Sequence, residues 1–250
     1  INSKHYLFSL KMGAGLAYGT KRFDQETNQL NNAIGTSFNA QISLGLESRI
    51  LFGNHSVNIS LDLTHFSNGS TKMPNLGLNL PYLGLGYGYL IKRGIDSNFV
   101  HEAYKKKWEY GIMVVGSVKE IYPTGGKKYP IFAASAIARR FFNPKVGMEV
   151  SFDVFSKQAI MGYHPGIRKK QSEIIQLGVF AGYLLPLDHF HLLFGMGVYV
   201  RDKFKPDTPL YHRIGMRYVF DNGININLAL KSHWAKADYF EYGIGYTFKK

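Results

Sequence analysis

The chain has 250 residues, with 27 Gly, 18 Phe and 17 Tyr but no Cys, which excludes disulfides, thiolate metal sites and a cysteine nucleophile. Its formal net charge of +13 calls for an anionic partner. No basic helix, zinc finger or other nucleic-acid module accompanies that charge, so nucleic acid is not the expected partner.

No stretch approaches the ~20 consecutive apolar residues of a membrane helix. The pattern instead is strict alternation, interrupted by turn signals. Taken in chain order, it predicts strands at 5–19, 36–51, 55–66, 78–91, 108–119, 130–140, 145–157, 173–186, 189–202, 210–220, 223–233 and 239–248. No internal repeat or linker divides them, so 1–250 reads as a single domain. Short links at Gly53-Asn54, Asn143-Pro144, Leu187-Asp188 and Asp221-Asn222-Gly223 alternate with longer ones at 20–35, 67–77, 120–129, 158–172 and 203–209. Tight turns on one side and long loops on the other are the pattern of an outer-membrane barrel. The expectation is therefore an all-β, transmembrane, antiparallel β-barrel of about 12 strands in the bacterial outer membrane. An even count puts both termini on the periplasmic side. Residues 92–107, with Lys105-Lys106-Lys107, are long yet fall on the short-turn side, which suggests a small helix or a docking segment for a protein partner.

Aromatic residues at strand ends, Tyr6, Phe8, Phe141, Phe142, Tyr211, Tyr239 and Phe240, suggest the girdles of such a barrel. The first residues, Ile1 to His5, lack the apolar core of a signal peptide, so none is expected in this sequence.

The stretch from Ser56 to Gly69 is the most informative. Val57, Ile59, Leu61 and Leu63 point to one face of a strand, and Asn58, Ser60, Asp62 and Thr64 to the other. His65 and Ser67 continue the apolar row. A hydroxyl and an imidazole thus sit side by side on a face suited to lipid. Serine needs an adjacent base to become a nucleophile, and His65 is placed to be one. Asp62, in the polar row, is expected to pair with a basic residue.

His65-x-Ser67-Asn68, followed by Pro74-Asn75-x-Gly77, resembles the signature of the PagL-like outer-membrane lipid A deacylases. The close resemblance covers residues 57–91. It implies an esterase that removes an ester-linked acyl chain from lipid A at the outer-leaflet side, without a cofactor. Ser67 would attack, His65 would serve as general base and then acid, and Asn68 with the backbone N–H of Gly69 would stabilise the oxyanion. The family places a glutamate twelve residues after the serine, where this chain has Asn79. Asn79 can orient the imidazole through its carbonyl but lacks a full charge. Pro74, Asn75 and Gly77 read as residues that shape the loop.

His189 and His191 form a His-x-His, but nothing nearby completes a ligand set, so no metal is expected. Basic residues in the long loops, Lys21-Arg22, Lys127-Lys128, Arg168-Lys169-Lys170, Lys203 and Lys205, suit lipopolysaccharide phosphates and other anionic outer-membrane lipids. Two other readings stand beside the esterase. One is a non-catalytic PagL-like barrel subunit of an outer-membrane complex. The other is a small pore, in which Gly84, Gly86 and Gly88 leave space in the lumen.

Overall fold

Period-two alternation produces twelve strands: β1 (Tyr6–Tyr18), β2 (Phe38–Phe52), β3 (His55–Ser67), β4 (Leu78–Tyr89), β5 (Trp108–Glu120), β6 (Lys128–Asn143), β7 (Val146–Lys157), β8 (Ile175–Leu187), β9 (Phe190–Arg201), β10 (Leu210–Val219), β11 (Ile224–His233) and β12 (Lys236–Phe248). The computed structural model describes residues 5–91, 107–163, 166, 170–234 and 236–248. The segment 92–107, expected to dock a partner, lies outside the described residues except for Lys107.

The twelve strands do not make one twelve-stranded barrel. β1 to β4 form an antiparallel sheet in the order β1-β2-β3-β4, whereas β5 to β12 close on themselves as an eight-stranded barrel. The reason is the choice of partner at β12. Its free edge takes β5, with Tyr242 opposite Gly116 and Phe248 opposite Tyr110, so the ring closes without the first four strands. The placing of both termini on the periplasmic side rested on the larger ring and loses that support. The chain divides into two units, residues 1–68 with 75–101, and residues 69–74 with 102–250.

In the first unit the register puts Tyr6 opposite Ile50, Ile50 opposite Val57, and Val57 opposite Tyr87. The even residues of β1 and β2 therefore share one face with the odd residues of β3 and β4. That face is apolar and exposed: Leu10 is 63% accessible, Leu61 60% and Leu85 77%. A bare apolar surface of this extent needs a nonaqueous neighbour. The opposite face is polar. Asp62 accepts from Ser60 Oγ at 2.6 Å and pairs with Lys11 Nζ at 2.8 Å, the basic partner expected for it. Gly84 and Gly86 on β4 make room for this face. A Cβ on either would come within 2.5 Å of Ser60 Oγ or Asn58 Oδ1, so the glycine row is filled by β3 side chains.

The barrel shows the same division of labour. Ile112, Val114, Phe132, Phe152, Met196, Ile226 and Ile244 are exposed on its outside. Inside, Asp153 accepts from Ser135 Oγ at 2.6 Å, Ser151 Oγ at 2.9 Å and Tyr211 OH at 2.7 Å, and pairs with Arg213 at 3.3 Å. Arg213 reaches on to Glu241 at 3.0 Å, and Arg217 pairs with Glu149. Toward the long-loop end, Asp238 is held by Lys119, Lys157 and Lys231. Lys231 also lies over the rings of Tyr211, Tyr199 and Phe155 at 4.4, 4.7 and 4.8 Å. Buried charges of both signs survive here because each has a partner.

Four of the expected girdle aromatics are buried instead: Phe141, Tyr211, Tyr239 and Phe240, the two tyrosines completely. Exposed aromatics ring the short-turn end of the barrel, at Trp108, Tyr110, Phe142, Phe190, Phe220, Tyr246 and Phe248, while Tyr122 and Trp234 are exposed at the long-loop end.

Removing one member of the central network should be costly. Asp153→Ala leaves two serines, a tyrosine and a guanidinium short of an acceptor, and should destabilise the barrel by about 3–5 kcal/mol. A lowered unfolding midpoint in detergent, read by the heat-dependent shift in electrophoretic mobility, checks this.

Candidate active site

His65 and Ser67 end β3, and the register places Asn79 of β4 directly opposite His65. The imidazole Nδ1 lies 2.7 Å from Asn79 Oδ1. An amide oxygen only accepts, so Nδ1 carries the proton and Nε2 is left with its lone pair. That is the tautomer a general base needs. Asn79, twelve residues after Ser67, thus holds the imidazole through its side-chain oxygen.

Ser67 is 1% exposed, and its Oγ has no hydrogen-bond partner. The hydroxyl and the imidazole share the row but are not bonded to each other here.

The loop that follows is built around Asn75. Its Oδ1 accepts the backbone N–H of Asn68 at 2.9 Å, which fixes the chain next to the serine. The same amide has a buried Nδ2 without a partner. Asn75 therefore both shapes the loop, as expected, and carries a spare donor, which the sequence reading assigned only to Asn68 and Gly69. The backbone N–H of Asn68 is spent on Asn75, and the Asn68 side chain is buried. The spare donor had no local signal, because it depends on a hydrogen bond across seven residues.

Gly77 has φ +78°, and a Cβ there would lie 2.5 Å from His65 Cε1. It forms one wall of the imidazole site. The backbone N–H groups of Leu76 and Gly77 donate to the carbonyls of Asn32 and Ala33 at 3.2 and 3.0 Å, which ties this loop to the one before β2. Gly69 and Pro74 belong to the barrel unit, where Gly69 packs on the ring of Phe240.

The other candidates do not converge. His189 Nδ1 donates to the Val219 carbonyl at 2.9 Å, and His191 is buried against Phe141. Among the described residues, Asp207, His233 and Asp238 lie close enough to share an ion. Lys157 Nζ already sits 2.9 Å from Asp207 and 2.7 Å from Asp238, so the place of a cation is taken by an ammonium. Burial opposes ionisation of Asp207, in the loop before β10, but Lys157 holds its carboxyl below the usual range. Among the basic loop residues, Lys203 pairs with Glu173 and Lys127 lies over Tyr129; Arg168 and Lys169 fall outside the described residues.

Residues 108–250 match the family described as acyloxyacyl hydrolase, C-terminal domain, and residues 2–89 match lipid A 3-O-deacylase (PagL). The chain belongs to the PagL-like acyloxyacyl hydrolase family. Family and fold together fit an outer-membrane lipid A hydrolase with lipopolysaccharide as its substrate class. No curated protein matches this chain. Solved structures similar to it include two variants of the Rhodopseudomonas blastica porin, each 10% identical over 97% of this chain and 100% of the porin. Their TM-scores are 0.24 and 0.25, too low to bear on fold or function.

Gly77 offers a direct test of the imidazole site. Gly77→Ala forces a Cβ onto His65 at a left-handed backbone position, and acyl release should fall by roughly 100-fold. Unchanged strand content by circular dichroism, measured alongside turnover, separates this from unfolding.

Proposed function

We propose that the chain hydrolyses an ester-linked acyl chain of lipid A by a serine mechanism at the outer-leaflet side, with Ser67, His65 and Asn79 as its reactive group. The observation that carries this reading is the Asn79–His65 hydrogen bond. It leaves Nε2 basic on the same apolar strand face as an unpartnered, buried serine hydroxyl.

In this reading His65 Nε2 takes the Ser67 proton as Oγ attacks the ester carbonyl. The collapsing tetrahedral intermediate expels the sugar hydroxyl, which receives that proton from His65. Water then attacks the acyl-serine with His65 again as base, releasing the fatty acid and restoring the hydroxyl. The carbonyl oxygen gains negative charge in both steps and needs donors. The spare Nδ2 of Asn75 is the best supported of them. The Asn68 side chain and the Gly69 N–H remain further candidates.

Asn79 holds the ring but does not balance the charge of the imidazolium. A carboxylate there would stabilise the charged form. Asn79→Glu should therefore raise kcat, by about 10-fold or more, and Asn79→Ala should lower it by about the same factor or more.

Mass spectrometry of lipid A from cells expressing the chain tests the proposal. Wild type should remove one acyl chain and Ser67→Ala none. Identical lipid A from both, with the protein folded in the membrane, would favour a non-catalytic subunit. The pore reading has less support, since charged and aromatic side chains fill the barrel interior.

A further inference from the structure

The wall on one side of the His65 imidazole is not held by the sheet ladder. The pairing of β3 with β4 ends at Phe66 opposite Leu78, and Gly77 lies one residue beyond it. Its place matters at the reacting atom. A Cβ on Gly77 would lie 3.2 Å from His65 Nε2, the nitrogen left basic by the bond from Nδ1 to Asn79. The backbone there is fixed from another part of the same unit. Leu76 and Gly77 donate their N–H groups to the carbonyls of Asn32 and Ala33, in the loop between β1 and β2. Two adjacent carbonyls of that loop thus set how near the wall stands to the base.

Those carbonyls need a support of their own, because the ladder between β1 and β2 stops at Tyr18 opposite Phe38. Beyond it, the Gly19 N–H bonds the Ser37 carbonyl and the Phe23 N–H the Ile34 carbonyl, each at 2.7 Å, and neither bond involves Asn32 or Ala33. The Asn31 side chain supplies what is missing. Its Oδ1 accepts the N–H groups of Ala33 at 3.3 Å and Ile34 at 3.2 Å, and its Nδ2 donates to the Lys21 carbonyl at 3.1 Å on the facing arm of the loop. One amide therefore pins the turn that presents the two carbonyls and braces it against the other arm. Asn28 adds a second brace, its Nδ2 donating to the Arg22 carbonyl at 2.7 Å.

Three links run from Asn31 to the base: the Asn31 amide to Ala33, the Ala33 carbonyl to Gly77, and Gly77 against the imidazole. All of them lie within the four-stranded unit. We infer, on the esterase reading above, that Asn31 is a positioning residue for His65. It holds the wall that keeps Nε2 in place, while Asn79 holds the other side of the ring. The β1–β2 loop, which contributes none of Ser67, His65 and Asn79, thereby takes part in the reaction.

The test uses the full chain with Asn31→Ala, which loses all three bonds, and Asn31→Asp, which keeps the acceptor and loses the donor. Two quantities are measured: kcat and KM for acyl release, and amide hydrogen exchange. In Asn31→Ala, exchange should quicken at residues 32–34 and 76–77 and not along β1 to β4, and kcat should fall about 10-fold with KM unchanged. Asn31→Asp should recover most of kcat. An unaltered kcat in Asn31→Ala, or a rise in KM alone, would overturn the positioning role and leave the esterase standing. So would a loss in Asn31→Asp as large as in Asn31→Ala, or faster exchange throughout β1 to β4. A wild-type chain that releases no acyl group would overturn the esterase reading, and the role of Asn31 with it.

Discussion

Hydrocarbon offers no hydrogen bonds, and most of this structure follows from that. Backbone polar groups facing lipid must be paired along strand ladders, and polar side chains must turn away from it. The strict alternation of the chain meets both demands. Its apolar rows face outward on the sheet and on the barrel. The price is a barrel interior dense with charge, where Asp153, Arg213 and Glu241, or Asp238 and three lysines, are tolerable only as connected groups.

The candidate site departs from this division. His65 and Ser67 sit in the row that otherwise carries Val57, Ile59, Leu61 and Leu63. Polar groups on such a face are unfavourable without a partner. The imidazole has one in Asn79, and the serine hydroxyl has none. In the proposed mechanism, an ester substrate arriving from the lipid side meets these groups without first leaving its own environment. The same low dielectric strengthens any hydrogen bond to the developing oxyanion. In the proposed mechanism Asn79 orients the imidazole without a charge to offset the imidazolium, so the expected cost is in rate.

Much of this was legible from the residues alone. All twelve strands lie close to the alternating runs, and the candidacy of Asn79 as the partner of His65 was legible from its spacing, although the register that sets them opposite was not. Barrel closure was not legible. Whether β12 takes β1 or β5 depends on which edge it meets, and no local pattern records that choice. Tyr211 and Tyr239 were misplaced for a related reason: aromatics suit both a membrane interface and a charged interior, where they cover Lys231 and Arg213. The double role of Asn75 depends on a bond made across folded chain, to the Asn68 N–H.

The central claim is that Ser67 is a nucleophile activated by His65. Trapping with a serine-directed phosphonate, followed by peptide mass spectrometry on the folded protein in detergent, tests it most directly. The account predicts an adduct on Ser67 in the wild type, largely lost in His65→Ala. An unmodified Ser67, or an adduct that forms equally without His65, would contradict it.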